Sequence, residues 1–140
     1  MKKKILVLGA AGQIGTDLTL DLRDMFGAEN VIASDLKIAC KEVMEGGVFE
    51  IVDVLNKQKL SDIIDRHQIN EIYHLAAILS ARAEQNPMFS WDVNMKGLFN
   101  VLELAREKKL GKIFWPSSIA VFGPTTPKQN TPQDTIMDPN

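Results

Sequence analysis

With 140 residues, 45% of them hydrophobic, the chain is long enough for one domain with its own core and too apolar for a disordered protein. The formal net charge is −2 and charges of both signs are dispersed, which argues against nucleic-acid binding and against a polybasic membrane surface. Cys40 is the only cysteine, beside His67 and His74 as the only histidines, so an internal disulfide is excluded and no metal site is expected.

The first predicted elements are a strand, a glycine turn and a helix. The apolar run at residues 5–8 predicts a strand buried on both faces of a parallel sheet. It leads directly into the spacing Gly9-x-x-Gly12-x-x-Gly15. Helical periodicity follows, and we expect one apolar face made of Ile14, Leu18, Leu22, Met25 and Phe26.

Each glycine has its own physical role in such a turn. Gly9 allows the sharp turn off the strand, Gly12 lets a pyrophosphate approach the backbone, and Gly15 lets the helix pack closely. The order of strand, glycine turn and helix is that of a dinucleotide site, in which amides at the helix N-terminus bind the pyrophosphate. The predicted contacts are Gly9, Gly12, Gln13, Ile14 and Gly15.

Lysines 2–4 before an apolar run are also typical of a secretory signal peptide. Two observations argue against that interpretation: no small-residue cleavage site precedes Asp17, and an amphipathic helix follows at once. No stretch approaches the roughly 18 apolar residues of a membrane span. We therefore expect a cytoplasmic protein with no membrane partner.

A second predicted strand, residues 31–34, ends at Asp35, which lies 20 residues beyond Gly15. An acid at this distance accepts hydrogen bonds from the adenosine ribose hydroxyls and repels a 2′-phosphate, so the sequence predicts NAD rather than NADP. Leu36 is predicted to contact the cofactor beside it. The alternative is an acid that merely ends a strand.

A third predicted strand, residues 48–52, is followed by Asp53 and Val54. Both are predicted to contact the cofactor, with Asp53 hydrogen-bonded to the adenine amine. Asp53 is equally well placed to cap the next predicted helix, residues 55–67, and the sequence leaves the two roles open.

The fourth predicted strand, residues 71–75, ends in Ala76 and Ala77. Small residues at the carboxyl end of a strand leave room for a flat cofactor, so Leu75, Ala76 and Ala77 are predicted cofactor contacts. His74 inside this strand is expected to be a hydrogen-bonded core residue. Ser80 is a candidate polar contact for the substrate, although many loop serines have no such role.

The longest predicted helix begins near Asn86 and Pro87, a capping residue followed by a residue suited to the first turn. One apolar stripe is expected from Trp91, Met95, Leu98, Leu102 and Ala105. Phe99 and Val101 lie opposite, and a helix apolar on more than one face needs a second partner. We expect Gly97 to allow close packing against a cofactor or a neighbouring helix.

The fifth predicted strand, residues 112–115, is followed by Ser117 and Ser118. Hydroxyls at the carboxyl end of a central strand lie on the ligand-binding edge of such a sheet, where they are able to hold a substrate alcohol. A simple serine turn is the alternative. Four prolines between residues 124 and 140 predict a loop.

These elements predict an α/β fold, a Rossmann-type doubly wound parallel sheet of five strands in the order 3-2-1-4-5 with helices on both faces. Residues 1–123 form a partial NAD-binding domain in this prediction, and residues 124–140 form a proline-rich loop.

Several motifs together carry a family resemblance. They are the three glycines with Asp35, residues 73–77, Asn94-x-x-Gly97, the pair Ser117-Ser118, and the longer stretches 12–16, 78–82, 115–127 and 135–139. The chain resembles the extended short-chain dehydrogenase/reductases and, more narrowly, the L-threonine 3-dehydrogenases of the nucleotide-sugar epimerase type.

The resemblance implies metal-free, NAD-dependent oxidation of the L-threonine 3-hydroxyl to 2-amino-3-ketobutyrate by a homodimer. It implies that Ser118 belongs to the catalytic set and binds the substrate hydroxyl, together with Ser117. Ser80 would lie near the amino-acid end of the substrate, and Asn94 would contact the cofactor.

The chain departs from the family pattern in the catalytic base. The family uses Tyr-x-x-x-Lys, but the only tyrosine here is Tyr73, with Ala77 four residues later. The motif would begin just after residues 138–140, and the later strands and the substrate-capping region are also absent. We therefore expect the 140-residue chain to bind NAD weakly, to oxidise no threonine, and to self-associate through the open sheet edge and the unpartnered helix.

Two other functions stay open at this point. Nucleotide-sugar epimerases and dehydratases share most of these motifs but usually have tyrosine where Phe122 stands, and Phe122 with residues 124–127 favours threonine dehydrogenase. A non-catalytic NAD-sensing module is the other alternative, supported only by the missing Tyr-x-x-x-Lys.

Overall fold

A parallel sheet of five strands lies at the centre of the protein. The computed structural model describes residues 3–79 and 83–139, and the strand order is β3-β2-β1-β4-β5, as predicted. The strands are β1 (Ile5–Leu8), β2 (Val31–Asp35), β3 (Phe49–Ile51), β4 (Glu71–His74) and β5 (Lys112–Phe114).

The register of the sheet aligns the ends of its central strands. Leu8, the last residue of β1, lies beside Ser34 of β2 on one side and His74 of β4 on the other. The loops that follow these three strands therefore leave the sheet at one common edge, and this edge carries most of the residues predicted to bind a cofactor.

The helices connect successive strands. They are α1 (Gln13–Phe26), α2 (Lys41–Glu45), α3 (Lys57–His67), α4 (Pro87–Trp91) and α5 (Gly97–Lys108). A π-helical turn, Asp92–Lys96, joins α4 to α5, and short 3₁₀ turns occur at Ala28–Asn30 and Ile119–Val121. In the part of the chain that the structure describes, no helix is long and apolar enough to cross a membrane.

Each face of the sheet has its own hydrophobic core. On one face α1 and α2 contribute Leu22 and Val43, and the strand residues packed with them are Ile5, Val7, Val31 and Ala33. On the other face α3 and α5 cover the sheet, and the buried residues include Leu6, Leu8, Ile32, Leu60, Ile63, Ile72, Val101 and Leu104. The prediction of helices on both faces is confirmed.

The predicted apolar face of α1 is wrong for two of its members. Ile14 is 72% exposed and Met25 71% exposed, whereas Leu22 is buried. The buried face instead includes Gly15 and Thr19, and the Thr19 hydroxyl donates to the Gly15 carbonyl at 2.6 Å. The close approach of Gly15 to the turn after β1 determines which face of the helix meets the sheet, and this approach brings small residues inward.

The predicted stripe of the long helix is also rotated. Leu98, Val101 and Leu104 are buried, while Trp91 and Leu102 of the predicted stripe are exposed. The physical reason is Gly97, where an added Cβ atom would lie 2.8 Å from Val54 Cγ2. Gly97 thus packs against Val54, which follows β3 by three positions, and not against a neighbouring helix. Its packing against a cofactor stays a prediction. An apolar outer face remains, made of Met88, Trp91, Phe99 and Leu102.

His74 is buried in β4 as expected, but none of the described residues forms the expected hydrogen bond with its side chain. Both ring nitrogens lie out of contact with water and without a hydrogen-bond partner there. Burial lowers the pKa of His74 from its ordinary value near 6.5 to about 4. The imidazole is therefore neutral at physiological pH and contributes to the core as a packing group.

Candidate functional site

A cleft of about 570 Å³ lies at the carboxyl edge of the sheet, between the loops that follow β1, β2, β3 and β4. Nine of the predicted cofactor contacts line it, from all four loops. These are Gly9, Gly12, Asp35, Leu36, Asp53, Val54, Leu75, Ala76 and Ala77. The opening at this edge follows the general rule for ligand sites in open α/β sheets.

Gly9 holds the turn after β1 against the loop after β4. Its φ is +92°, a left-handed conformation that favours glycine, and an added Cβ would lie 2.7 Å from the Ala76 nitrogen. The Gly9 amide also donates to the Ser34 carbonyl at 2.9 Å. Gly9 thus connects the end of β1 with β2 and with the loop after β4, and it forms the floor of the cleft.

Gly12 leaves the N-terminus of α1 open. It is the N-cap residue and supplies no side-chain cap, and an added Cβ would meet only the Gly9 carbonyl, at 3.3 Å. Gln13 and Ile14 occupy the first turn, where backbone amides have no carbonyl partner within the helix. These amides and the helix dipole together form the arrangement that binds a pyrophosphate.

Gly15 is required by a contact within the same turn. An added Cβ would collide with the carbonyl group of Gly9, so the helix starts directly against the turn. The close packing predicted for Gly15 is present, and its partner is the backbone of residues 9 and 10.

The carboxylate of Asp35 is fixed at the end of β2. One oxygen accepts from the Ala11 amide and the other from the Lys37 amide, both at 3.0 Å. Each oxygen keeps a further lone pair for a ligand hydroxyl. The bond to Ala11 ties this acid to the glycine turn, so the acceptor for a ribose and the amides for a pyrophosphate are held in one unit.

The capping role considered for Asp53 is wrong. Helix α3 begins after Asn56, whose side chain accepts from the Lys59 amide at 3.0 Å. The Asp53 carboxylate accepts instead from the Leu55 amide at 2.9 Å and lines the cleft. Its hydrogen bond to an adenine amine stays a prediction, and the buried Val54 provides an apolar wall beside it.

Asn94 lies in the π-helical turn, and its side chain makes two hydrogen bonds to the loop after β4. Its carbonyl oxygen accepts from the Ile78 amide at 2.8 Å, and its amide group donates to the Ile78 carbonyl at 3.0 Å. The two bonds hold this loop to the long helix. The predicted contact between Asn94 and a cofactor stays a prediction, and Ser80 lies outside the described residues.

Ser117 and Ser118 follow β5 in an exposed segment and are not among the residues that line the cleft. The Ser118 hydroxyl accepts from the Ala120 amide at 3.1 Å and starts the 3₁₀ turn. This is the serine-turn geometry that the sequence left open. The hydroxyl keeps its proton for donation to a ligand, so the substrate-binding roles of both serines stay predictions.

Sequence reasoning missed one wall of the cleft. Gln85, Phe89, Ser90 and Val93 contribute it from the start of the long helix. Phe89, Ser90 and Val93 are spaced as one helical face, so the periodicity of this segment carried the signal. The more prominent stripe of large apolar residues, which in fact faces outward, obscured it.

The groups that line the cleft are suited to binding a ligand. Among the residues that the structure describes, its titratable lining groups are Asp35, Lys37 and Asp53, and no group of metal-ligating side chains occurs. The amides at the helix N-terminus suit a pyrophosphate, the fixed carboxylate suits a ribose, and the apolar walls suit flat rings. NAD fits this set of donors and acceptors.

The sequence profile of the NAD dependent epimerase/dehydratase family matches residues 5–140. An uncharacterised epimerase/dehydratase of Staphylococcus saprophyticus is 49% identical over 138 residues, covering 98% of this chain and 43% of the relative. The chain thus spans less than half the length of the curated relatives it matches.

Solved structures of similar sequence also have the fold of this chain, and two of them serve as examples. L-threonine dehydrogenase from Clostridium difficile superposes with a TM-score of 0.90 at 48% identity, over 99% of this chain and 44% of that one. A monomeric L-threonine 3-dehydrogenase from a metagenome, in its apo form, superposes with a TM-score of 0.87 at 47% identity, over 96% of this chain and 42% of that one.

Proposed function

The chain belongs to the NAD-dependent epimerase/dehydratase family, and from this premise we propose that it is the cofactor-binding part of an NAD-dependent L-threonine 3-dehydrogenase. The whole enzyme would oxidise the 3-hydroxyl of L-threonine to give 2-amino-3-ketobutyrate. The observation that carries the cofactor assignment is the fixed unit of Asp35, Ala11 and the open N-terminus of α1.

In this proposal the cleft holds NAD along the carboxyl edge of the sheet. The amides of Gln13 and Ile14 bind the pyrophosphate, Asp35 accepts the adenosine ribose hydroxyls, and Asp53 accepts the adenine amine. Leu36, Val54 and residues 75–77 enclose the rings. Bound NAD supplies the hydride acceptor, and the residues of this chain bind and orient it.

The substrate side of the proposal rests on the likeness to the threonine dehydrogenases, at 47–48% identity. Ser118, with Ser117, would bind the threonine hydroxyl, and Ser80 its amino-acid end. Tyr73 is unsuited to act as the base, because it lies inside β4 with its ring 5.5 Å from that of Phe114. We therefore propose that these 140 residues bind NAD and oxidise no threonine by themselves.

The outer face of the long helix supports a proposal of homodimers for the full-length protein. Met88, Trp91, Phe99 and Leu102 are exposed along it. A second copy would remove this apolar surface from water. The monomeric threonine dehydrogenase among the similar structures shows that fold alone does not determine this state. Light scattering on the 140-residue chain should show self-association, and a monomer at high concentration would contradict it.

The test of function is formation of NADH, followed by absorbance, when the full-length product of this gene is given L-threonine and NAD. We expect activity with threonine and a strong preference for NAD over NADP. The same protein with Ser118→Ala should lose most of its activity while it retains affinity for NAD.

The matched comparison is a UDP-sugar in place of threonine. Turnover of the UDP-sugar without threonine oxidation would favour the epimerase function and overturn the substrate assignment. A folded full-length protein that binds NAD and acts on neither would instead indicate a sensing module.

A further inference from the structure

Arg23 in α1 is a buried cation that has no carboxylate partner among the described residues. Its side chain belongs to the inner face of the helix, the residue is 6% exposed, and no ion pair with it occurs among residues 3–79 and 83–139. A buried guanidinium is costly unless its donors are satisfied. Burial lowers the pKa of Arg23 from its ordinary value.

Two backbone carbonyls accept hydrogen bonds from the Nη atoms of Arg23, whereas Nε is buried without a partner among the described residues. Arg23 Nη1 donates to the Val43 carbonyl at 2.6 Å, and Nη2 donates to the Val48 carbonyl at 2.9 Å. Val43 lies in α2, where the carbonyls of the last turn have no partner within the helix. The Val48 carbonyl also accepts from the Ala33 amide of β2 at 3.0 Å. One side chain therefore joins α1, α2 and the start of β3.

Two glycines make room for this side chain. An added Cβ at Gly47 would lie 2.9 Å from both Cζ and Nε of Arg23, and one at Gly46 would lie 3.3 Å from Nη1. Any larger residue at position 47 would displace the guanidinium. The pair Gly46-Gly47 thus provides the space that the Arg23 guanidinium occupies.

The segment held in this way, residues 36–48, is the connection between β2 and β3. Its first residues, Leu36 and Lys37, line the cleft beside Asp35, and the Lys37 amide binds the Asp35 carboxylate. Its helix, α2, has only five residues, too few to be stable alone. Arg23 therefore holds the end of this segment next to β3, while the end next to β2 forms a wall of the cleft.

We infer that Arg23 is a positioning residue for the adenosine half of the bound dinucleotide. This inference rests on the proposed binding of NAD. Without the guanidinium, residues 36–48 sample conformations in which Leu36 and Lys37 no longer form the wall. The apparent affinity for NAD is then the intrinsic affinity multiplied by the fraction of molecules in which the wall is intact. The glycine turn is held separately, through Gly9 and the Ser34 carbonyl.

The experiment measures binding of NAD and of AMP to the 140-residue chain by calorimetry, with Arg23→Met as the main variant. AMP carries only the adenosine half, so NAD and AMP should lose affinity by the same factor, about tenfold. Arg23→Lys should fall between, because one ammonium does not span both carbonyls as a planar guanidinium does. Amide hydrogen exchange should accelerate at residues 36–48 and stay unchanged at residues 10–15.

Two controls separate positioning from general loss of stability. Ile63→Val removes one methylene from the opposite core and should leave both affinities within about twofold, although it lowers stability. Gly47→Ala displaces the guanidinium without removing it and should reproduce the Arg23→Met result. It also provides the test if Arg23→Met does not fold, with Gly111→Ala as the matched glycine control because a Cβ there meets only an ordinary contact at 3.5 Å.

Unchanged affinity in Arg23→Met or Gly47→Ala, with normal binding by the unaltered chain, would overturn the inference. A loss for NAD without a loss for AMP would overturn it as well. If the unaltered chain bound neither NAD nor AMP, the proposed function would be the part that fails.

Discussion

The two ends of the sheet's carboxyl edge differ in burial and in hydrogen bonding. At the end formed by β1 and β2, every strand residue up to Ser34 is buried. The Ala11 amide donates to Asp35, and the Gly9 amide donates to the Ser34 carbonyl. At the end formed by β5, residues 114–120 are all exposed, including Trp115 and Ile119. Both ends carry residues predicted to function.

This difference shows which part of the function the described residues can perform. The glycine turn and Asp35 are held in position by neighbours on three strands, so a cofactor would meet a preformed site. Ser117 and Ser118 follow β5, which pairs with β4 alone in the described sheet, and both serines are exposed. Binding of a cofactor is thus better supported than binding of a substrate.

The largest effect should come from Gly15→Val in the glycine turn. Its side chain would collide with the Gly9 carbonyl, so we expect loss of about 3 kcal/mol or more of unfolding free energy and loss of measurable NAD binding. Urea unfolding and calorimetry check both. Gly111→Ala, where the contact is ordinary, should change neither, and normal NAD binding by Gly15→Val would contradict the close packing of this turn.

A pair of isoleucines compares the two ends directly. Ile32→Ala in β2 should lower the free energy of unfolding by about 3–4 kcal/mol, because it leaves a cavity in the core. Ile119→Ala, at a residue 86% exposed, should change it by less than about 0.5 kcal/mol. Similar values for the two variants would mean that the segment after β5 packs in solution as firmly as β2.

The pH dependence of stability tests the burial of His74. Its pKa is about 4 when folded and near 6.5 when unfolded, so the unfolded state binds more protons between these values. Stability should therefore fall as pH decreases from about 6.5 to 4, by about 3 kcal/mol from this group. Carboxylates with lowered pKa, such as Glu50, add to the same trend. The informative quantity is the difference between the unaltered protein and His74→Met, and a pH-independent difference would contradict a neutral buried imidazole.

The smallest of these effects concerns Asp35. Asp35→Asn keeps the shape of the side chain and removes its charge, so we expect NAD to bind about 10-fold more weakly. Discrimination against NADP should also shrink, since the repulsion of a 2′-phosphate is gone. Competition binding with the two cofactors measures both. An unchanged preference for NAD would transfer that role to another part of the cleft.

Most of the sheet could be predicted from the sequence, and so could most of the residues that line the cleft at its carboxyl edge. The runs at 5–8 and 31–34 and the spacing of Gly9, Gly12 and Gly15 depend on local chemistry, and local chemistry is visible in a sequence. The wall from Phe89, Ser90 and Val93 escaped prediction because the larger apolar residues of the same helix obscured its spacing. The contacts of Arg23 with the Val43 and Val48 carbonyls escaped because these partners lie 20 and 25 residues away, where no periodicity points to them.

The order of strands and helices and the position of the glycine turn follow from the sequence alone, because apolar runs, helical periodicity and glycine conformations act within a few residues. The buried face of each helix depends instead on contacts between distant parts of the chain. Both α1 and α5 have apolar residues on more than one face, so hydrophobicity alone permits several rotations. Contacts at Gly15 and Gly97 select one of them, since the absence of a side chain there allows the backbone to approach most closely.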